Sequence, residues 1–280
     1  MPAKIIDGKE IAEKILIDLK SKIKNMGEKP GLALVLVGDN PASEIYVSSK
    51  EKTFSEVEGY CERHNIDKGI DELELLGLVT RLNNNPKIHG ILVQLPLPKQ
   101  IDENLITNSI LPHKDVDGFT SVNLGHLFAG NPMLEPATAR AVMKLIDSTG
   151  INLEGKNAVV VGRSNIVGKP VAMMLLEKNA SVTICHSRTK NLAEFTKKAD
   201  VLVVAVGKPR LVAKDMVKQG AVVIDVGINR VNGKIVGDVD FESVKEIAGF
   251  ITPVPGGVGP MTIAMLMENT LKAMELARKV

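Results

Sequence analysis

One glycine-punctuated turn constrains the fold of this chain more than any other feature. An apolar run ends at Val161, the turn Gly162-Arg163-Ser164 follows, and a helical pattern extends from Val171 to Lys178. This order of strand, phosphate-sized loop and helix is typical of dinucleotide-binding sites. The glycine spacing is irregular, because Ser164 occupies the usual second glycine position and Gly168 comes one residue late. A tight turn without a ligand is therefore the alternative interpretation.

The next apolar run, Ser181 to Cys185, indicates which dinucleotide would bind. His186-Ser187-Arg188-Thr189 follows it, where an NAD-binding chain usually places Asp or Glu for the ribose hydroxyl. A carboxylate there would repel a 2′-phosphate, whereas the Ser187 hydroxyl and the Arg188 guanidinium would bind one. The sequence therefore predicts NADP as the cofactor.

Composition argues against several classes of protein. The 280 residues suffice for two ordinary domains with a substantial core. A net charge of +2 and an aromatic content of 3% argue against a protein that binds nucleic acid or a membrane surface. Cys61 and Cys185 lack the spacing of a disulfide framework or a zinc site, so no metal is expected. Because no apolar run approaches a membrane span and the N-terminus lacks a signal-peptide core, we expect a soluble cytosolic protein.

Short runs rich in Val, Ile and Leu alternate with longer amphipathic segments, and this alternation predicts an α/β fold with parallel sheets. Strands are predicted at 32–37, 61–66, 88–93, 158–161, 182–185, 201–206, 221–225 and 250–252. Helices are predicted at 8–25, 42–57, 71–83, 103–110, 171–178 and 261–278. We expect two domains, one at 1–120 with the C-terminal helix 262–280 and a Rossmann-type domain at 121–261, with an active-site cleft between them.

The segment around Lys50 begins with turn residues and continues as a predicted helix. Ser43, Tyr46 and Lys50 are spaced i, i+3, i+7 and so share one face of that helix. A tyrosine and a lysine on one face offer a flat stacking surface beside an amine. The alternative is a solvated lysine next to a partly buried tyrosine.

Gln94 interrupts an apolar strand that begins at Gly90 and continues into Leu95-Pro96-Leu97-Pro98. A strand of this type is buried on both faces, and α/β sheets present ligand groups at the carboxyl ends of their strands. Gln94 is therefore a candidate for ligand contact. A satisfied core amide is the alternative.

Two loops complete the set of candidate sites. The segment Lys114-Asp-Val-Asp-Gly118 places two carboxylates two residues apart. They fit either a weak metal site, or an arrangement in which one binds the N–H groups of a ligand and the other caps or forms a salt bridge. The glycines and prolines between Thr252 and Thr262 fix a path that lets a flat ligand approach the backbone. A stiff hinge is compatible with the same pattern.

Together these segments resemble the bifunctional methylenetetrahydrofolate dehydrogenase/cyclohydrolase family. The matching motifs cover nearly the whole chain in the family's order: Tyr46-x-x-x-Lys50, Val93-Gln-Leu-Pro-Leu97, Lys114-Asp-Val-Asp-Gly118, Gly162-Arg-Ser-x-x-Val-Gly-Lys-Pro170 and Pro253-Val-Pro-Gly-Gly-Val-Gly-Pro-Met-Thr262. The second and the last are highly specific. One departure is Pro136-Ala-Thr-Ala139, where the family commonly has Pro-Cys-Thr-Pro, and Thr138 remains as a possible helix cap.

The resemblance implies NADP-dependent oxidation of 5,10-methylenetetrahydrofolate and hydrolysis of the methenyl product to 10-formyltetrahydrofolate. Lys50 would be the catalytic lysine and Gln94 would contact and tune it. Tyr46 would stack near the pterin, and Asp117 would hold the amino-pyrimidine edge. The further substrate-binding positions implied are Val93, Leu95, Pro255, Gly256 and Gly257. The cofactor-binding positions implied are Gly162, Arg163, Ser164, Ser187, Arg188 and Ile228.

The resemblance also implies a homodimer that pairs through the cofactor domain, with tetrahydrofolate derivatives as ligands. Three alternatives remain open: a member with dehydrogenase activity alone, a non-catalytic NADP-binding regulator on the same fold, and a shikimate-type dehydrogenase. The presence of Lys50 and Gln94 argues against the second. The third gives no reason for the two proline-rich motifs.

Overall fold

The computed structural model describes residues 2–278, which divide into two compact units. The first unit contains residues 14–137 and 263–278, and the second contains residues 2–13 and 138–262. The α-helices are α1 (Gly8–Lys24), α2 (Pro41–Glu56), α3 (Glu72–Asn83), α4 (Glu103–Ser109), α5 (Ser121–Phe128), α6 (Ala137–Asp147), α7 (Gly168–Glu177), α8 (Leu192–Thr196), α9 (Phe241–Val244) and α10 (Val258–Ala277). The strands are β1 (Lys4–Ile5), β2 (Gly31–Val37), β3 (Tyr60–Ile66), β4 (Gly90–Val93), β5 (Asn157–Val161), β6 (Ser181–Cys185), β7 (Val201–Val204), β8 (Val222–Asp225), β9 (Asn229–Val231), β10 (Lys234–Val236) and β11 (Phe250–Ile251).

The first unit is built on a parallel sheet in the order β3-β2-β4. Every residue of the central strand β2 is buried, because its run of Gly, Leu, Ala and Val offers an apolar side chain to each face. The chain returns beside β4 at Asp115, which forms a single parallel bridge with Ile91. The carboxyl ends of β2 and β4 therefore lie on the same side of the sheet as the segment that follows Asp115.

The second unit is built on a parallel sheet in the order β1-β11-β8-β7-β5-β6. Strands β5, β7 and β8 form its centre, and Val and Leu side chains from all three pack into one apolar core. The strand order reverses beside β5, which pairs with both β6 and β7. In doubly wound sheets such a reversal marks the crevice where ligands bind, at the carboxyl ends of the strands.

The sequence predictions of fold class and of eight strands agree with this architecture. They missed the short edge strand β1, the antiparallel hairpin of β9 and β10, and the helices α5, α6, α8 and α9. Thr138 was expected as a possible helix cap, but α6 begins at Ala137, so Thr138 lies inside the first helical turn. That expectation is wrong.

The division into units also differs from the predicted domain limits in two segments. Residues 2–13 lie in the second unit, since β1 pairs with β11. Residues 121–137 lie in the first unit, where the Ser121 N–H donates to Asn108 Oδ1 and the Asn269 side chain donates to the Glu135 carbonyl. None of the helices in residues 2–278 is both long and apolar enough to span a bilayer.

Candidate active site

The first group of candidate residues begins on α2. The Asn40 side chain accepts hydrogen bonds from the N–H groups of Ala42 and Ser43, which fixes the start of the helix. From that start the buried face of α2 carries Ser43, Val47 and Phe54. Lys50 falls on the same face at i+3 from Val47 and is half-buried. The local sequence thus directs a lysine towards the interior of the first unit.

Gln94 meets this lysine from the end of β4. Its backbone N–H donates to the Val35 carbonyl, and its Nε2 donates to the Leu95 carbonyl, so the amide orientation is fixed. The free oxygen Oε1 accepts from Lys50 Nζ at 3.0 Å. Val93 is buried and Leu95 is half-buried on either side. The predicted interruption of an apolar strand is therefore an oriented amide that contacts an amine.

The third member of the group is Asp117, which interacts electrostatically with Lys50. Burial lowers the pKa of Lys50, and the opposing charge of Asp117 limits the drop. Burial raises the pKa of Asp117 to about 6, against the opposite charge of Lys50 and with a further rise from Asp115. Both shifts bring an ordinarily charged group towards its neutral form near physiological pH.

The two carboxylates of the Lys114–Gly118 segment have different surroundings. Asp115 is buried, and its oxygens accept from the backbone N–H groups of Gly118, Phe119 and Thr120 and from the Asn123 side chain. Asp115 thereby clamps the loop that carries the half-buried Asp117. Asp115 therefore has the capping role that the second sequence interpretation gives to one of the two carboxylates, and Asp117 interacts electrostatically with Lys50. In residues 2–278 no group of three or more His, Cys, Asp or Glu side chains could hold a metal ion.

Helix α10 also holds the Asp117 segment. The Asn269 Nδ2 atom donates to the carbonyls of Val116 and Glu135, both at 2.8 Å. The Ala137 N–H donates to the Asp117 carbonyl. The sequence predicts this helix at 261–278, but a single asparagine within it gives no sign of its partners, so the role of Asn269 was not predicted.

In the second unit, two glycines shape the turn after β5. Gly162 has φ +137°, and a Cβ there would lie 2.3 Å from the Ala205 carbonyl oxygen. A Cβ on Gly168 would lie 2.3 Å from the Gly162 carbonyl oxygen, so helix and turn approach closely. Ser164 Oγ accepts from the N–H groups of Val167 and Gly168 and caps α7, while Arg163 is exposed beside it. The late glycine and the serine are thus parts of one compact turn, and α7 begins three residues before its predicted start.

The turn after β6 presents Ser187 and Arg188 to solvent. His186 Nδ1 accepts from the Arg188 N–H at 3.1 Å, and Thr189 Oγ1 accepts from the His186 N–H at 2.8 Å. These bonds close the turn from both ends. The sequence analysis missed that His186 and Thr189 shape this turn, although polar residues on both sides of a predicted contact pair were a usable signal.

The remaining candidates lie on loops of the second unit. Ile228 is 47% exposed and follows β8. Gly256 has φ +106° and Pro255 is exposed, and the peptide bonds before Pro255 and, in the first unit, before Pro96 are cis. Gly257 packs against the Pro253 carbonyl, where a Cβ would lie 2.6 Å from the oxygen. Tyr46, in the first unit, is 39% exposed on α2.

The structure thus brings Lys50, Gln94 and Asp117 together in the first unit. It places the predicted cofactor positions on successive turns of the second unit, at the carboxyl ends of β5, β6 and β8. The first group offers an amine with a lowered pKa, an amide and a carboxyl group. The second offers closely packed turns at the ends of its strands and an exposed guanidinium, which fit a phosphorylated dinucleotide.

Comparisons with known proteins agree with this geometry. A model described as the tetrahydrofolate dehydrogenase/cyclohydrolase catalytic domain matches residues 6–117, and the NAD(P)-binding domain model of the same family matches residues 136–278. The Bifunctional protein FolD of Nitrosospira multiformis is 56% identical over 281 residues, which cover 99% of this chain and 98% of that protein.

Solved structures give the same result. The bifunctional enzyme FolD, a methylenetetrahydrofolate dehydrogenase/cyclohydrolase from Campylobacter jejuni, matches with a TM-score of 0.96 and 49% identity, over 98% of this chain and 99% of that chain. The FolD enzyme of Trypanosoma brucei, solved with NADP cofactor and inhibitor, matches with a TM-score of 0.96 and 37% identity over 100% of both chains. These matches confirm the resemblance carried by the sequence motifs, and the chain belongs to the tetrahydrofolate dehydrogenase/cyclohydrolase family.

Proposed function

We propose that this chain is a bifunctional enzyme that oxidises 5,10-methylenetetrahydrofolate with NADP and hydrolyses the methenyl product to 10-formyltetrahydrofolate. The observation that carries the proposal is the contact between Lys50 and Gln94, an amine of lowered pKa held by a neutral amide. Family membership supplies the reaction type. The contact supplies a group suited to its second step.

Hydrolysis requires proton transfers that one amine can perform. Water that adds to the methenyl carbon must lose a proton, and a ring nitrogen of the folate must gain one. An amine poised near neutrality can accept the first proton and deliver the second. Lys50 fits this role because burial disfavours its ammonium form, and a cationic substrate would disfavour it further.

Gln94 suits the position beside Lys50 because it orients the amine without adding charge. A carboxylate at that distance would stabilise the ammonium and raise the pKa of Lys50. Asp117 contributes charge from a second direction, and its own pKa near 6 leaves it largely ionised at neutral pH. As a carboxylate it would accept paired N–H donors from the amino-pyrimidine edge of the pterin.

The residues of the second unit fit NADP. The turn after β5, where Gly162 and Gly168 let backbone segments pack closely, is the position proposed for the pyrophosphate, and Arg188 and Ser187 would hold the 2′-phosphate. When bound, the nicotinamide accepts the hydride from the one-carbon bridge. The chain must align the two carbons to within roughly 3–3.5 Å, and no proton is removed at the donor carbon. Tyr46, Val93, Leu95, Ile228 and the loop Pro255–Gly257 are proposed to line the folate and nicotinamide positions.

Two further proposals follow from the family resemblance. The first unit would form the folate-binding catalytic domain, and two copies of the chain would pair through the cofactor domain. Sedimentation at assay concentrations measures the second point, and a monomer would contradict it. A cytosolic location and a contribution to purine synthesis through the formyl product remain predictions.

The deciding experiment is to incubate the protein with methylenetetrahydrofolate and NADP. We expect the methenyl chromophore to form together with NADPH and then to decay as 10-formyltetrahydrofolate appears. An accumulating chromophore without formyl product would reduce the activity to the dehydrogenase alone. Absence of both would overturn the proposed function.

A further inference from the structure

Two buried aspartates lie at the carboxyl ends of β7 and β8, apart from the positions considered so far. Asp225 is 3% exposed and is the last residue of β8, and Asp238 is 0% exposed and follows β10. A buried carboxylate is costly unless donors surround it. The donors that surround these two carboxylates therefore indicate what they hold in place.

Asp238 gathers the loops that follow two neighbouring strands. Its Oδ2 accepts from the N–H groups of Val206 and Gly207 at 2.7 and 2.9 Å, and its Oδ1 accepts from the Lys208 N–H at 2.8 Å. Oδ1 also accepts from Asn229 Nδ2 at 2.9 Å. One side chain thus fixes the loop after β7 and the loop after β8.

Asp225 holds Asp238 in turn. Its Oδ1 accepts from the N–H groups of Gly227 and Asp238, and its Oδ2 accepts from the Val239 N–H, all at 2.9 Å. The Asp225 N–H donates to Thr252 Oγ1, at the start of the loop that leads to α10. The carboxylate pair therefore ties together the loops after β7, β8 and β10, and the Asp225 backbone adds a bond to the loop before α10.

Glycines make the pair possible. A Cβ on Gly227 would lie 2.2 Å from the carboxyl carbon of Asp238, and a Cβ on Gly237 would lie 1.8 Å from Asp225 Oδ2. The Asp238 carboxylate thus fills the space that a side chain at residue 227 would need, and the Asp225 carboxylate fills the space that a side chain at residue 237 would need. So close a fit leaves little freedom for either loop.

The position of this pair in the sheet indicates which half of the dinucleotide it serves. The phosphate turn follows β5, and the turn predicted to bind the 2′-phosphate follows β6 on one side of it. Strands β7 and β8 lie on the other side of β5. A dinucleotide that crosses the strand-order reversal places its second nucleoside, the nicotinamide riboside, over these strands. Ile228 lies between Gly227 and Asn229, which the pair holds.

We propose that Asp238, held by Asp225, is a positioning residue for the nicotinamide half of NADP. It acts through the backbone of residues 206–208 and 227–229 and does not itself touch the reacting atoms. The inference rests on the proposed function, because NADP is the ligand assigned there.

The test is Asp238→Asn, with Asp240→Asn as the matched control. Whichever way the new amide turns, its NH₂ group replaces an oxygen that now accepts two N–H donors. Buried donors without an acceptor are costly, so we expect the NADP dissociation constant and KM to rise by at least about tenfold. Asp240 is part of the same Gly-Asp-Val-Asp sequence but is less buried, and its side chain does not cap α9, so its variant should match the parent.

Cyclohydrolase activity distinguishes positioning from general damage. Hydrolysis of added methenyltetrahydrofolate uses Lys50 and Gln94 and no NADP, so Asp238→Asn should retain it within about twofold, whereas a collapsed protein would lose both activities. An unchanged NADP dissociation constant in the folded variant would overturn the proposal. If Asp238→Asn does not fold, Asn229→Ala removes a single donor and should raise the constant by about threefold; an unchanged constant there would overturn the proposal equally.

The proposed function can fail separately. Calorimetric titration with NADP alone measures the dissociation constant in a protein without folate activity. A parent that binds NADP but leaves methylenetetrahydrofolate unchanged would refute the proposed reaction and still test Asp238.

Discussion

Lys50 donates from Nζ to Gln94 Oε1 at 3.0 Å, and the partner atom belongs to an uncharged amide. The orientation of the amide is fixed, because its Nε2 donates to the Leu95 carbonyl. This bond therefore holds a lysine whose pKa is lowered by burial, and its acceptor brings no negative charge to the amine. This relationship links the end of β4 to the chemistry proposed for the first unit.

Replacing the amine should separate the two activities. Lys50→Met removes the proton acceptor and donor while keeping much of the side-chain volume, so cyclohydrolase activity should fall by at least about a hundredfold. The dehydrogenase should lose less, because hydride transfer needs alignment more than proton transfer. Lys52→Met, an exposed lysine on the same helix paired with Glu56, is the control. Equal retention of both activities in Lys50→Met would refute the proposed role of Lys50 in proton transfer.

Adding a charge at the amide should move the pH profile of hydrolysis. In Gln94→Glu the new carboxylate stabilises the ammonium and raises the pKa of Lys50, so less free amine is present at neutral pH. We expect the cyclohydrolase optimum to shift to higher pH and the activity at pH 7 to fall roughly tenfold. Gln100→Glu, on the exposed loop beyond Pro98, should leave the profile in place. A profile that stays fixed in Gln94→Glu would show that Lys50 is not the titrating group.

The raised pKa of Asp117 predicts how folate binding depends on pH. Both carboxyl oxygens of Asp117 can accept N–H donors only when the group is ionised, and its pKa is about 6. Binding of a folate analogue without the labile one-carbon bridge should therefore be strong above pH 6 and weaken below it, by up to about tenfold per pH unit. Asp117→Asn should bind weakly and lack this dependence. The same slope in parent and variant would assign the titration to another group.

Removing the exposed guanidinium should change cofactor preference. Arg188→Ala loses a charge-assisted contact with the 2′-phosphate, so KM for NADP should rise by at least about tenfold while KM for NAD changes little. Arg81→Ala, an exposed arginine on α3 of the first unit, serves as the control. An unchanged ratio of the two KM values would place the 2′-phosphate elsewhere.

The central strands could be predicted from the sequence because burial on both faces leaves a plain apolar pattern. Gln94 was recognisable for the same reason, as a polar residue where β4 should have continued. The different roles of Asp115 and Asp117 could not be predicted. Both belong to the same short motif, and only the bonds from the backbone N–H groups of Gly118, Phe119 and Thr120 show that Asp115 holds the loop.

The sequence analysis missed the carboxylate pair of Asp225 and Asp238 altogether. Their partners are mostly backbone N–H groups, which every residue but proline carries and which leave no mark in a sequence. The glycines beside them were the available signal, since Gly227 follows Asp225 by two residues and Gly237 precedes Asp238. Helix α6 was missed because the cluster of Gly, Asn and Pro before it suggested a domain boundary.

The bonds from Asn269 to Val116 and Glu135 have a consequence for biosynthesis. Asn269 lies in α10, 153 residues after Val116 in the sequence, yet it secures the segment that presents Asp117. A nascent chain that has not yet emerged to this point lacks both bonds, however well its earlier strands have assembled. Competence for folate would then arise only after α10 has been synthesised, so a chain cut short before Asn269 would be able to fold much of its sheet and unable to hold its ligand.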